Sequence, residues 1–212
     1  MRDIPMFTTD LGVAALTLCE IPYKGEAYVR LLDTQYPKDF LDECCQFCKV
    51  AGAEHIYATG HEILNTFPLH TSILKLRCCR DSLADTDAAL FPVQQANLER
   101  WREIFNTHMR DVPNAATMTS AKAQELLQKG NAYFVHRDAL LLGIGIASGE
   151  TIDAIVSVVK GKGEEVLLAL NHALSGECVE VVVASENLPA MNLYKRLGFV
   201  EIEEISRWYK IV

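Results

Sequence analysis

The sequence predicts an α/β protein of the α+β kind, in which helices flank a mixed, mostly antiparallel twisted sheet with an N-terminal α/β extension. Two observations in the second half lead to this fold class. Three apolar segments follow one another through two-residue connections, Arg137-Asp138 and Gly149-Glu150, and such short connections favour an antiparallel meander. Two helical segments then each follow directly on a strand, as they do where a helix connects neighbouring strands of a sheet.

The first half of the chain is predicted to contain a hairpin, one helix and two further strands. Short apolar runs at residues 13–19 and 26–32 enclose turn residues of the kind found in hairpins. Pro37 suits the first turn of a helix, which Gly52 would end. The two further strands are expected at residues 54–59 and 72–77.

The second half is predicted to begin with two helices. Asn97 can cap the first, whose apolar face contains Trp101 and Phe105 at helical spacing. Thr119 opens the second helix and Gly130 closes it. The elements after them are a meander of strands at residues 132–136, 140–148 and 151–159, a helix through Val166 and Leu174, a strand at 179–184, a helix at 188–197 and β structure from 199 to 212.

Residues 80–88 are the best candidate for a domain boundary, because they are polar and acidic and have no apolar period. We therefore expect an N-terminal α/β region at residues 1–80 and a second domain at residues 81–212. The two halves share a coarse strand–helix–strand order, but no residue-level repeat recurs at a fixed period. A degenerate first half of the same kind as the second is an alternative that the sequence leaves open.

The composition is typical of a globular protein. Half of the residues are hydrophobic and the formal net charge is −8, which argues against nonspecific binding to nucleic acid because phosphates are neutralised by clustered lysine and arginine. The sequence has no apolar run of about eighteen residues, the length that a membrane span requires, and its polar N-terminus is unlike a signal peptide. We expect a cytoplasmic location, without membrane or nucleic-acid partners.

The seven cysteines are expected to be reduced thiols. Cys45 and Cys48 formally make a C-x-x-C pair, and Cys78-Cys79 is the other candidate pair for a zinc site. Adjacent cysteines lack the spacing of zinc ligands, however, and Cys44 lies one helical turn from Cys48 in an amphipathic stretch, where cysteine acts as a small hydrophobe. No metal site is predicted.

Two strand-to-helix junctions in the second half are candidate binding sites. A helix start leaves backbone N–H groups unpaired and carries partial positive charge, so it attracts anions. The first junction spans residues 158–165 and contains Gly161 and Gly163, which allow a ligand to approach the backbone closely. The second junction spans residues 185–199.

The second junction resembles the C-terminal motif of the GNAT acetyltransferases. The resemblance rests on the order and spacing of Asn187, Ala190, Leu193-Tyr194 and Gly198-Phe199, between an expected strand and a terminal strand. It extends over about residues 90–212 and implies a GNAT-like fold. Residues 114–119 fall where the family has its acceptor-side loop, and the N-terminal extension would then be a partial GNAT-like half.

The first junction is similar to the pyrophosphate loop of that family, with departures. The family pattern is Arg or Gln, two residues, Gly, one residue, then Gly or Ala. Lys160 holds the first place, Gly163 the middle and Glu165 the last. Lysine keeps a cation near phosphate without the planar guanidinium fork, whereas a carboxylate beside a pyrophosphate is repulsive unless it points away.

The resemblance implies an acetyl-CoA-dependent N-acetyltransferase that transfers the acetyl group to a primary amine of a small molecule or peptide by direct attack on the thioester. Tyr194 would be the general acid. No general base is assigned: Glu150, Asp153 and His136 are candidates, and a bound water could act instead. The residues expected to bind the cosubstrate are Val156, Ser157, Val158, Lys160, Gly161, Lys162, Gly163, Glu164, Asn187 and Tyr194.

Two alternatives remain at this point. A non-catalytic acyl-CoA-binding or regulatory module on the same scaffold is favoured by Lys160 and Glu165, which depart from the family pattern. Independently, the apolar strands of the N-terminal half could pair with a second copy, which would make the protein a homodimer. The acceptor itself is not identified by the sequence, because the site and not the fold sets substrate choice.

Overall fold

The computed structural model describes residues 5–212, and the chain divides into two compact units. The first unit contains the described residues up to Ile73 together with Glu204–Val212, and the second is Leu74–Glu203. The last strand of the protein thus returns to the first unit. The predicted division into domains at residues 1–80 and 81–212 stays a prediction.

The first unit contains a meander followed by a parallel pair of strands. Its strand order is β1-β2-β3-β4-β11, antiparallel except for the parallel pair β3 and β4. The predicted hairpin at residues 13–32 is confirmed, although its turn forms the one-turn helix α1 (Ile21–Lys24) that Gly25 ends at φ 70°. The bounds are β1 Met6–Thr9, β2 Gly12–Thr17, β3 Glu26–Thr34, α2 Pro37–Val50, β4 His55–Thr59, β5 Leu69–Cys79 and β11 Val200–Lys210. β1 was not predicted.

Helix α2 packs through the face that carries the cysteines. Phe40, Cys44 and Cys48 are fully buried in one apolar cluster with residues of β2, β3 and β4. Burial raises the pKa of Cys44 to about 12 and that of Cys48 to about 11, so both are protonated thiols at neutral pH. All seven cysteines are free, and these two act as small hydrophobes, as predicted.

The second unit has the strand order β5-β10-β9-β8-β7-β6. The predicted meander is confirmed, since β7 pairs antiparallel with β8 and β8 with β9. β6, which pairs with β7, was not predicted. The bounds are β6 Ala89–Pro92, α3 Leu98–Met109, α4 Ser120–Lys129, β7 Ala132–Arg137, β8 Leu140–Ser148, β9 Thr151–Ser157, α5 Gly163–Asn171, β10 Cys178–Ala184 and α6 Leu188–Arg196.

The predicted capping residues are confirmed for α4 and wrong for α3. The Thr119 hydroxyl accepts from the Lys122 N–H at 3.2 Å, and Gly130 at φ 69° ends α4, as predicted. Asn97 precedes α3, but its side chain does not cap it. The Asn97 amide oxygen instead accepts from the Gln94 N–H at 2.8 Å, because a short 3₁₀ turn precedes the helix.

Helices cover both faces of the sheet in the second unit. On one face, α3 and α4 pack around Trp101, which is fully buried and donates its indole N–H to the Tyr133 carbonyl at 3.1 Å. On the other face, α5 packs closely on β8 because Gly143 and Gly145 have no side chain. A Cβ at Gly145 would lie 2.3 Å from Leu170 Cδ1 and 2.9 Å from the Ala154 carbonyl oxygen, so an alanine there would force the Leu170 side chain and the local backbone to shift.

The helices are short. The longest, α2, has 14 residues, and no helix within residues 5–212 combines the length and apolar character that crossing a bilayer would demand.

Replacing Gly143 by alanine is expected to lower the free energy of unfolding by about 1–3 kcal/mol. The new Cβ would lie 2.2 Å from the Val156 carbonyl oxygen and 2.7 Å from Val166 Cγ2. Urea denaturation measures the change. Gly163→Ala is the control, because its Cβ would meet only Leu193 Cδ2 at 3.5 Å. Equal stability of the Gly143 variant and the wild type would contradict the close packing of α5.

Candidate functional site

The two parallel strands at the centre of the second unit diverge after a very short ladder. β9 and β10 are joined by helix α5 and lie side by side, as predicted. Glu180 is in register with Thr151 and Val181 with Ile152, and within these two fully described strands no later pair follows. Val182, the next residue of β10, is 45% exposed. The sheet is therefore open between the carboxyl ends of β9 and β10.

A β-bulge begins where the two strands part. Ile146 of β8 is opposite Ala154 and Ala147 is opposite Ile152, so Asp153 of β9 is an extra residue without a partner on β8. Bulges bend a strand and increase its twist. Because Asp153 directly follows the last residue of β9 that pairs with β10, the bulge gives a physical reason for the divergence.

The closed end of the opening is fixed by ion pairs. Glu180, 9% exposed, accepts from Arg77 Nε at 2.9 Å and lies 2.6 Å from Lys75 Nζ. Hydrogen bonds from Lys75 and Arg77, both on β5, hold the pKa of Glu180 below its ordinary value. The residue at the apex is thereby anchored to the neighbouring strand.

The backbone N–H groups of β9 alternate between the β8 side and the opening. The Val158 N–H donates to the Leu142 carbonyl at 2.9 Å and is therefore already used on the β8 side. Backbone groups alternate between the two edges of a strand, so the Val156 N–H is directed toward β8 as well and the Ser157 N–H toward the opening. Of Val156, Ser157 and Val158, which are predicted to bind the cosubstrate, Ser157 is the one whose N–H is directed toward the opening.

The loop that follows β9 leads into α5, whose first residue is a glycine. Lys160 is exposed and forms no ion pair with any residue that the structure describes. Gly161 has φ 81°, the left-handed region that favours glycine. Gly163, the first residue of α5, needs neither a special φ nor close packing, since a Cβ would meet only Leu193 at 3.5 Å. A methyl group at Gly163 would therefore fit in ordinary contact with Leu193.

Glu165 lies in the first turn of α5 between two cations. Its Oε1 is 2.5 Å from Lys162 Nζ, and its Oε2 is 2.5 Å from Arg137 Nη1. The contact with Arg137 is close enough for an ion pair but lacks hydrogen-bond geometry, so Oε2 remains a buried acceptor without a hydrogen bond. Sequence reasoning missed Arg137, because the connection between β7 and β8 is far from α5 along the chain and carries no local signal.

Asn187 acts as the cap of α6. Its side-chain oxygen accepts from the Ala190 N–H at a long 3.4 Å, and the residue is half-buried. A cap at this distance is weak, so the amide remains able to bond a ligand as well.

Tyr194 is buried beside the opening. It is 6% exposed and belongs to the same apolar cluster as Val183 of β10 and Ile155 of β9, both of which lie beyond the last paired residues. Its ring centroid is 5.4 Å from that of Phe199. The hydroxyl makes no hydrogen bond with the part of the chain that the structure describes, and burial raises the pKa of Tyr194 well above its ordinary value.

The structure brings the two predicted junctions together. Leu193 of α6 faces the open space at Gly163, and Arg196 Nη2 lies 3.7 Å from Glu164 Oε2. The starts of α5 and α6 thus follow the carboxyl ends of β9 and β10 at one edge of the sheet, which is where open α/β sheets bind ligands.

The three candidate bases lie at different distances from this edge. Glu150 precedes β9 at its opposite end, roughly 20 Å from Ser157 at about 3.3 Å per residue, and therefore does not lie at this edge. Asp153 is the exposed bulge residue, and desolvation raises its pKa while Lys122 opposes that shift. His136 is in register with Leu141 of β8, about two strand spacings or 10 Å from β9.

A cavity of about 440 Å³ lies at the edge of the sheet formed by β6 and β7. It shares Arg137 with the contacts of Glu165 in the first turn of α5, and the surface of its lining is mainly apolar. The ring of His136 is 5.3 Å from that of Phe91, and His136 Nδ1 is buried without a partner. The lining includes Asp87, Phe91, Asn97, Phe134, His136 and Arg137.

Solved structures resemble this chain in fold, whereas no protein-family model and no curated protein matches its sequence. A protein of unknown function from Staphylococcus epidermidis has a TM-score of 0.61 at 13% identity, covering 98% of this chain and 93% of that one. A tandem GNAT protein from the clavulanic acid biosynthesis pathway has 0.51 at 14%, covering 94% and 78%. A GCN5-related N-acetyltransferase from Kribbella flavida has 0.58 at 10%, covering 96% and 58%.

At these identities the likeness concerns the fold. The fold is GNAT-like, a mixed and mostly antiparallel sheet flanked by helices, and the predicted fold class is confirmed.

Tyr194→Phe is expected to leave the free energy of unfolding within about 0.5 kcal/mol of the wild type, because the hydroxyl has no hydrogen bond to lose. Tyr194→Ala should lower it by roughly 3–5 kcal/mol, since it removes a buried ring. Both values come from urea denaturation. A loss of about 1 kcal/mol or more in the phenylalanine variant would indicate a structural partner for the hydroxyl.

Proposed function

We propose that the protein binds acetyl-CoA in the opening between β9 and β10 and transfers the acetyl group to a primary amine of a small molecule or peptide. The observation that carries this proposal is the two-residue ladder between these parallel strands. Parallel strands joined by a helix ordinarily pair along their length, and a gap in the middle of a sheet leaves backbone groups that need other partners.

The unpaired edges of β9 and β10 suit an extended ligand that contains amides. The pantetheine arm of coenzyme A is such a ligand, with two amide groups along a narrow chain. Insertion of an extended chain at a strand edge gains main-chain hydrogen bonds in the same way as addition of a strand. Binding of the pantetheine arm would depend on the backbone of the two strands. The departures from the family pattern at Lys160 and Glu165 would therefore not affect it.

The start of α5 suits the phosphate end of the same ligand. The helix start offers unpaired N–H groups and partial positive charge, Gly163 leaves space above them, and Lys160 supplies an unpaired cation nearby. Lys162 is already engaged by Glu165. We expect Asn187 to bond the ligand from the start of α6, where its own capping bond is long.

The chemistry needs no nucleophile from the protein. Acetyl-CoA, when bound, supplies the acetyl group as a thioester, and the neutral amine attacks its carbonyl directly. The chain contributes orientation, which lowers the entropic part of the barrier, and the Ser157 N–H, which can polarise the carbonyl oxygen. The general base remains open between His136 and Asp153.

Tyr194 would assist departure of the thiolate. Burial keeps the phenol protonated at neutral pH, so Oη carries a proton that a developing thiolate can attract. A phenol with a pKa above its usual value of about 10 is a weaker acid than an alkyl thiol near 8.5. The assistance we propose is therefore a hydrogen bond to the leaving sulfur, which strengthens as charge develops.

The first unit has a similar connection but no opening, so we propose a single acetyl-CoA site per chain. β3 and β4 are joined by α2 and pair continuously from Glu26 opposite His55 to Arg30 opposite Thr59. This ladder takes in all of β4 and leaves no space for a ligand. We propose that the first unit is a degenerate half of the same kind as the second.

A non-catalytic acyl-CoA-binding module is the second candidate. The ion pairs of Glu165 favour it, because they occupy cations that a phosphate would otherwise use. The two candidates differ in one measurement: a module would be stabilised by acetyl-CoA but release no CoA with any amine of a broad panel.

Titration calorimetry with acetyl-CoA is expected to give one site per chain. Gly163→Trp should abolish or strongly weaken binding, since the indole fills the space at the start of α5. Val50→Trp, at a 90% exposed position of the first unit, is the control and should bind like the wild type. Two sites per chain would contradict the single-site proposal, and unchanged affinity of the Gly163 variant would mean that the phosphates bind elsewhere.

Tyr194→Phe is expected to reduce acetyl transfer on the order of 100-fold while leaving the affinity for acetyl-CoA unchanged, because only the proton donor is lost. Release of free CoA thiol in the presence of amines measures transfer, and calorimetry measures binding. Unchanged turnover with an active amine would remove Tyr194 from the mechanism.

A further inference from the structure

The first turn of α5 contains a carboxylate, Glu165, that contacts two cations. Glu165 stands at the third position of the helix, where its carboxylate contacts Lys162 from the loop and Arg137 from the end of β7, both at 2.5 Å. Its side chain is only 20% exposed, while those of the two cations are 34% and 36% exposed. A half-buried carboxylate therefore lies between two cations at a helix end that favours negative charge.

We infer that Glu165 is an internal counter-anion that occupies the phosphate site of the loop, so that the pyrophosphate of a ligand must displace it to reach Lys162 and Arg137. This rests on the proposed function and concerns regulation of the same site. Glu165 then determines how tightly phosphate-bearing ligands bind, because each of them competes with a carboxylate tethered at the site.

The pairing of Glu165 is strong in charge but incomplete in geometry. Its Oε2 is close to Arg137 yet forms no hydrogen bond. A guanidinium binds best through two parallel N–H bonds to a planar carboxylate or to phosphate oxygens. Arg137 is thus held by charge without its preferred geometry, and a pyrophosphate can offer that geometry.

Glu164 provides a matched comparison. It lies in the same first turn of α5, and its side chain is 46% exposed, 3.7 Å from the exposed Arg196. The two carboxylates experience the same helix end and have the same formal charge. They differ in that Glu165 engages the loop cations and Glu164 does not.

The experiment compares Glu165→Gln and Glu164→Gln in the 212-residue chain by titration calorimetry. Glu165→Gln should bind acetyl-CoA about tenfold more tightly than the wild type, because removal of one close carboxylate frees two cations. Glu164→Gln should change the affinity by about twofold or less, because it removes only an exposed charge and keeps the backbone N–H through which a residue at a helix start would bind the cosubstrate. Acetylpantetheine, which has no pyrophosphate, should bind equally to all three proteins.

Glu165→Asp is the second variant, since it keeps the charge but shortens the reach to both cations. It should have an affinity for acetyl-CoA between those of the wild type and the glutamine variant. Unchanged or weaker binding of acetyl-CoA by both Glu165 variants, with binding by the wild type, would overturn the inference. An equal gain for acetylpantetheine would overturn it too, because the effect would then not concern phosphate.

Inorganic pyrophosphate separates this inference from the proposed function. Thermal denaturation should show stabilisation of Glu165→Gln by pyrophosphate at concentrations that leave the wild type unaffected. If no variant binds acetyl-CoA but Glu165→Gln gains pyrophosphate binding, the proposed function fails and the role of Glu165 stands. If neither ligand binds any variant, both are wrong.

Discussion

The short ladder between β9 and β10 is the constraint on which the second unit depends. Two central strands can part only if their positions are fixed by other contacts, because unpaired backbone groups are costly. Glu180, at the apex, is anchored to β5 by Lys75 and Arg77, and α5 lies close to the sheet above Gly143. The opening is therefore a built feature of the sheet, with edge groups that a ligand can use.

The two units show that the connection alone does not create such an opening. In each, an antiparallel pair of strands leads through a helix to a parallel strand, as β2-β3-α2-β4 and as β8-β9-α5-β10. The ladder of the first stays closed along all of β4, whereas the bulge at Asp153 turns β9 away in the second. A local backbone irregularity, and not the order of elements, separates an open pair of parallel strands from a closed one.

Much of this fold could be predicted because its signals are local. Pro37, Thr119 and Gly130 mark helix ends through the geometry of single residues, and two-residue connections force the meander. β1 and β6 were missed, since four residues are too few to show a period. Asn97 is a typical capping residue directly before α3, but its side-chain oxygen accepts from the Gln94 N–H in the preceding 3₁₀ turn and does not cap the helix. The bulge and the length of the ladder involve contacts between strands, which composition and spacing do not contain.

The effect of Glu165 on the start of α5 can be judged only together with the residues that its carboxylate contacts. From the sequence, a carboxylate in place of a small residue indicates only repulsion toward a phosphate. The structure adds Arg137, distant along the chain, and Lys162, so the carboxylate's charge is compensated by two cations. Their presence means that the elements of an anion site persist, with one of the protein's own side chains as the anion, and that a single charge controls access to it.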